Sequence, residues 1–165
     1  MNTDAVGRRA RENACLIWSA ANSLSGLYKP HEFGLVILPM CIIKRLHDCL
    51  QTGATFPFSN TSGHTFDSLV AAPEQLTGNF MEFLDGFSGN VQQILELMEF
   101  RPRIAPIAEA GVLHQLIQDF ATKDLGPERV STVDMGYIYE NLVQRFLNLI
   151  TTKPALTLRA VISST

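Results

Sequence analysis

The chain has 165 residues and a formal net charge of −3. That length suits one domain, and 46% hydrophobic against 18% charged residues supplies a packed core and excludes a disordered chain. The mildly acidic balance, with a pI of about 5.8, excludes a globally basic nucleic-acid binder but leaves room for a local basic patch.

Taken in chain order, the pattern is helix after helix. Ala14, Ile17, Trp18, Ala21 and Leu24 recur at helical spacing, and Ser25-Gly26 ends the run. Pro30 suits the first turn of the next helix, predicted from about residue 30 to 51, because its missing N–H would be unpaired there anyway. Leu35, Leu38, Ile42, Leu46 and Cys49 form one stripe of that helix, and Val36, Met40 and Ile43 a second. Its first half is therefore apolar all round and predicts the most buried helix, with a kink at Pro39. Lys44, His47, Asp48 and Gln51 share a face of its second half, which reads as reaching solvent.

Residues 52–63 carry the Gly, Pro, Ser and Asn density of a loop, and a short helix follows over 66–71. Leu76, Phe80, Phe83, Leu84 and Phe87 make an aromatic stripe that reads as core, and Asn90 reads as the cap of a helix carrying Val91, Ile94, Leu95 and Met98. Pro102 and Pro106 bracket a poor helical turn, and Leu113, Leu116, Ile117 and Phe120 mark an amphipathic helix. A connector at 123–129 leads to Ser131, which stands as in a capping box with Asp134 at its fourth position. Met135, Ile138, Leu142, Phe146 and Leu149 mark the last long helix, to about residue 150. A weak alternation over 156–162 is the one strand signal. The predicted fold class is all-α, a single helical-bundle-like domain with an irregular C-terminal tail, its core including Leu38, Ile42, Phe83, Leu116, Leu142 and Phe146.

Chemistry-bearing patterns are sparse. The longest apolar run falls well short of the roughly 20 residues of a membrane span, and the arginines Arg8, Arg9 and Arg11 are followed by Glu12 and Asn13 rather than by the apolar block of a signal peptide. The expected compartment is the cytoplasm. Cys15, Cys41 and Cys49 form no C-x-x-C pair and read as small hydrophobes, which fits a reducing compartment. His31, His47, His64 and His114 lack metal-ligand spacing, and no phosphate loop, nucleophile elbow or dinucleotide fingerprint occurs, so no catalytic, cofactor-binding or metal-ligating residue is assigned. Lys29, Lys44 and Arg45 are the candidates for phosphate contact; the plainer reading makes Lys44 and Asp48 a solvated i,i+4 pair. Gly136, at the start of the last helix, costs about 1 kcal/mol against alanine and reads as a place where another helix comes close.

Longer blocks carry a resemblance. Leu16-Ile17-Trp18, Tyr28-Lys29-Pro30, Val36-Ile37-Leu38-Pro39 and Lys44-Arg45-Leu46 resemble the opening of the modification subunit of type I restriction–modification systems. Asn79-Phe80, Gly86-Phe87-Ser88 and Asn90-Val91 are similar to its middle. Asp124-Leu125, Pro127 to Ser131 and Met135 to Glu140 are similar to the end of its amino-terminal helical domain. The resemblance spans about residues 10–150, with a divergent tail at 151–165.

That resemblance implies a helical domain placed before an S-adenosylmethionine-binding domain that methylates adenine N6. It also implies as partners a specificity subunit, a second modification subunit and DNA. The chain departs from the family after the last helix: Thr151-Thr152-Lys153-Pro154 stands where the family leads into its cofactor domain, and no Asn-Pro-Pro-Phe-like tetrapeptide occurs. The expectation is a truncated modification subunit, catalytically silent alone and without a cofactor of its own, that serves complex assembly and DNA engagement. The alternative is a stand-alone all-α interaction or regulatory module.

Overall fold

A computed structural model describes residues 3–152, with side chains from 5 to 150. The weak strand signal at 156–162 and the C-terminal tail beyond residue 152 lie outside the described residues. Eight α-helices are present among them: α1 (Thr3–Trp18), α2 (Gly34–Leu50), α3 (Phe66–Ala71), α4 (Leu76–Asp85), α5 (Gly89–Leu97), α6 (Arg101–Glu109), α7 (Leu113–Ala121) and α8 (Thr132–Thr152). Short 3-10 turns at Ser19–Leu24, Pro30–Glu32 and Pro73–Gln75 bridge some of them. No β-strand occurs among the described residues, so the all-α expectation holds, and no described helix is long and apolar enough to cross a membrane.

Helix α2 is the centre. Val36, Ile37, Met40, Cys41 and Ile43 are fully buried, and the helix packs against α7 on one side and α8 on another. The long helices α1 and α8, from opposite ends of the described chain, lie along each other, while α3 packs on α7. Phe66, Phe80, Phe83 and Phe100 form an aromatic cluster, with Phe66 edge-on to Phe83 at 5.7 Å and Phe80 edge-on to Phe100 at 6.3 Å. The stripe from Leu76 to Phe87 is thus core, as its spacing implied. Of the six expected core residues, Leu38, Phe83, Leu116 and Leu142 are buried, whereas Ile42 and Phe146 are half-buried. Half-buried Phe146 nevertheless lies directly on α2, which Gly34 allows; a Cβ at position 34 would stand 2.3 Å from its ring.

Other expectations shift by local chemistry. Asn90 is not the cap of α5: Ser88 is, and Asn90, inside the first turn, donates to the Pro57 carbonyl at 2.9 Å. That bond belongs to a seam in which the 57–62 loop pairs with the α4–α5 junction. Thr61 N–H donates to the Gly86 carbonyl, and Ser88 N–H to that of Ser59, both at 2.9 Å. The two prolines flagged as bracketing a poor turn are absorbed into α6, Pro102 in its first turn where no N–H is needed. Ser131 does cap α8, accepting from Asp134 N–H at 3.1 Å. Gly136 faces open space rather than a neighbouring helix.

Candidate functional site

The second half of α2 carries two of the three phosphate-contact candidates, and the fold turns both inward. Lys44 is 4% exposed. Its ammonium donates to both Asp48 carboxylate oxygens, at 2.6 and 2.5 Å, and to the Lys123 carbonyl at 2.6 Å, and it stands 5.4 Å over the Phe66 ring. All three of its protons are engaged. Arg45 donates through Nη1 to the carbonyls of Leu125, at 2.8 Å, and Val130, at 2.6 Å. On the face read as solvated, Lys44 and Asp48 are met by the connector between α7 and α8, about 80 residues further along the chain, whereas Gln51 at its end is exposed. Lys44 and the Nη1 of Arg45 therefore spend their donors inside the fold, and Lys44–Asp48 is a buried pair rather than a surface one. Lys29 alone of the three is exposed; its backbone N–H donates to the Glu32 carboxylate at 2.9 Å.

Asp48 is the hub of this clasp. Besides Lys44 it receives the Leu125 backbone N–H at 2.8 Å and the His47 ring at 2.7 Å. Burial raises its pKa, but the bonds from His47, Lys44 and Leu125 outweigh burial and hold the carboxyl below its ordinary value. His47, 7% exposed, uses its other nitrogen, Nε2, to accept the Phe66 backbone N–H at 3.1 Å at the start of α3. That bond fixes Nε2 as the bare nitrogen and Nδ1 as the donor to Asp48. A His–Asp pair of this kind would orient a general base, but here Nε2 is occupied by a backbone donor, and the arrangement serves to tie α2, α3 and the connector together.

The thiols divide by place. Cys41 and Cys49 are buried, and burial pushes the Cys41 thiol up to about 12, with Arg45 opposing, so it is protonated at neutral pH. Cys15 is exposed, contrary to its reading as an interior hydrophobe.

Two clefts lie between α1 and the start of α8. One, of about 480 Å³, runs between α1, the connector and α8 and carries Arg9 and Arg129 against Glu12, Asp124, Glu128 and Asp134. Two cations against four carboxylates make it a poor seat for a phosphate backbone. The other, of about 500 Å³, is more apolar and lies between α1 and the first turns of α8, lined by Val6, Gly7, Val133 and Tyr137. Val133 is 66% and Tyr137 45% exposed. Among the described residues no cluster of three or more histidine, cysteine, aspartate or glutamate side chains could hold a metal ion.

Sequence reasoning missed the clasp because its partners on the connector are backbone groups, which leave no mark in residue types. The one available signal was a lysine and an aspartate on a helix already too apolar to lie at the surface. Compared with protein-family models, curated proteins and solved structures, the chain matches none of them.

Proposed function

We propose that this chain is the amino-terminal helical domain of a type I modification subunit, acting in the cytoplasm in the assembly of the methylation complex. Its partners are a specificity subunit and a second modification subunit, and through them it engages DNA for N6-adenine methylation. The observation that carries this reading is the use made of the block Met135 to Glu140. Ile138 and Tyr139 face inward and pack with the core, yet Gly136 and Tyr137 remain exposed, with Val133 beside them, next to the apolar groove between α1 and α8. Residues that carry the resemblance and are not needed for the chain's own packing fit a surface another subunit covers. DNA contact by the chain alone is weak on this reading, since the clasp withdraws Lys44 and Arg45.

The test is co-expression with a type I specificity subunit and a full-length modification subunit from the same genome, followed by affinity capture through the specificity subunit. The chain is expected in the complex, and Val133→Asp with Tyr137→Ala is expected to remove it without lowering the melting temperature. Failure of the unaltered chain to associate, with the full-length subunit retained, would favour a stand-alone interaction module.

A further inference from the structure

On a surface that shares no residue with the α1–α8 groove, a notch of about 270 Å³ opens between the start of α2, the α5–α6 turn and the second half of α8. Its walls are aliphatic and aromatic: Leu35, Leu38, Met98 and Phe146, with Leu97 at the mouth. The close approach of Phe146 to Gly34 shapes one wall. Leu97 is 85% exposed, the most exposed of the large hydrophobic residues in the described chain.

One cation enters this apolar setting. Arg103, from α6, lines the notch, and its Nε is buried with no hydrogen-bond partner. Arg101, two residues earlier, shows the contrasting case: it is held by Asp85 at 2.9 Å and by Gln92. A buried guanidinium nitrogen without a partner is disfavoured and calls for an explanation, because each unsatisfied charged donor forfeits a hydrogen bond it would have made to water. Glu99, four residues before it, is exposed on the rim and forms no ion pair with it. The guanidinium fork is matched in geometry and charge by a carboxylate, which it binds through two parallel N–H bonds.

We propose that this notch is a binding site for a carboxylate carried on a short branched aliphatic body, the carboxylate on Arg103 and the aliphatic part against Leu35, Leu38 and Phe146. The volume fits a leucine-sized group and is below the range of nucleotide-sized sites. That chemistry has two sources, a free branched carboxylic acid or the carboxyl-terminal residue of a peptide.

The experiment is an NMR titration of the whole chain, following backbone amide resonances around the notch. The probes are isocaproate (the leucine skeleton without its amine), the corresponding neutral alcohol, and acetyl-Ala-Ala-Leu as free acid and as amide. Saturable shifts with the two acids, and with the alcohol and amide at least about tenfold weaker, are expected. Arg103→Met should reduce acid binding about tenfold or more while keeping the melting temperature, since it removes a donor that has no partner. Arg103→Lys, which keeps the charge and loses the fork, should fall between. A peptide acid that binds more tightly than isocaproate identifies a chain end as the source; equal or weaker binding identifies a free acid. The proposal is overturned if neither acid shifts the notch, if alcohol and amide match the acids, or if Arg103→Met binds as well as the parent.

Discussion

Asp48→Ala removes the acceptor at the centre of the clasp, and its consequence follows from the groups left behind. Three donors lose a partner: the Lys44 ammonium, the His47 ring and the Leu125 backbone N–H. Lys44 keeps the Lys123 carbonyl but becomes an uncompensated charge at 4% exposure. Breaking one half of a buried ion pair costs about 3–5 kcal/mol, and an orphaned neutral donor adds about 1–3 kcal/mol. These overlap because the same cavity admits water to all three, so about 4 kcal/mol is the expected sum. For a chain of this size that lowers the melting temperature by about 8–16 °C. Lys44→Met should cost less, because it deletes the cation rather than stranding it and Asp48 keeps two donors.

The same group sets an acid limit. The folded pKa of Asp48 lies below its ordinary value, so its contribution is complete above the unfolded carboxyl value of about 3.9 and is lost as pH falls through the lower folded one. Thermal melts of parent and Asp48→Ala should therefore differ most at neutral pH and converge as the pH falls through the lowered folded value of Asp48. A difference under about 1 kcal/mol at neutral pH would refute the clasp as a stabilising element.

Two further substitutions probe the backbone. Gly86→Ala should destabilise by about 1–3 kcal/mol, because the added Cβ would lie 2.6 Å from Asn60 Oδ1 and 2.7 Å from the Ser62 backbone nitrogen, in the seam that holds the loop; urea unfolding measures it. Glu99→Gly should instead stabilise by about 1 kcal/mol, since Glu99 ends α5 with φ of 51° where Gly111 ends α6 with φ of 77°, and a rise in the urea midpoint would show it.

Those two turns also show what a sequence can and cannot disclose. Both helices end with the same pair of bonds, from residue 99 to 96 and 100 to 95, and from 111 to 108 and 112 to 107. At α6 the glycine announces the turn; at α5 a glutamate occupies the same geometry and hides it. Periodicity recovered the elements whose faces are decided by neighbours in sequence: the α4 stripe, the 66–71 helix, and α2 as the buried centre. It failed where distant backbone decides. Lys44 and His47 looked solvated because nothing near them in sequence predicts that the 123–125 backbone meets Lys44 and Asp48, or that the Phe66 and Phe83 rings lie against His47. Gly136 and Gly34 invert the expectation for helical glycines: the flagged one faces open space, and the unflagged one, at the start of a helix, makes the close approach to Phe146. Burial of Ile42 and Phe146 was overestimated for a related reason, since a stripe gives the inward direction but not how far the next helix extends over it.

This inward use of charge changes how DNA contact must be tested. A triple substitution of Lys29, Lys44 and Arg45 cannot separate binding from folding, because two of the three hold the connector. Lys29→Ala is the clean perturbation: the residue is exposed, and its bonds with Glu32, one through its N–H and one through its carbonyl, are backbone bonds that alanine keeps. It should leave the melting temperature unchanged and, if Lys29 meets phosphate in the assembled complex, lower the slope of log affinity against log salt by about one. Arg45→Gln should do the reverse. It loses the charge-assisted bonds to the Leu125 and Val130 carbonyls, lowering the melting temperature by about 3–12 °C for a loss of about 1.5–3 kcal/mol, with the salt slope unchanged at a temperature where the variant is folded. A folded Arg45→Gln complex with a reduced slope would show that Arg45 leaves the clasp to meet phosphate, and the inward assignment would then be wrong.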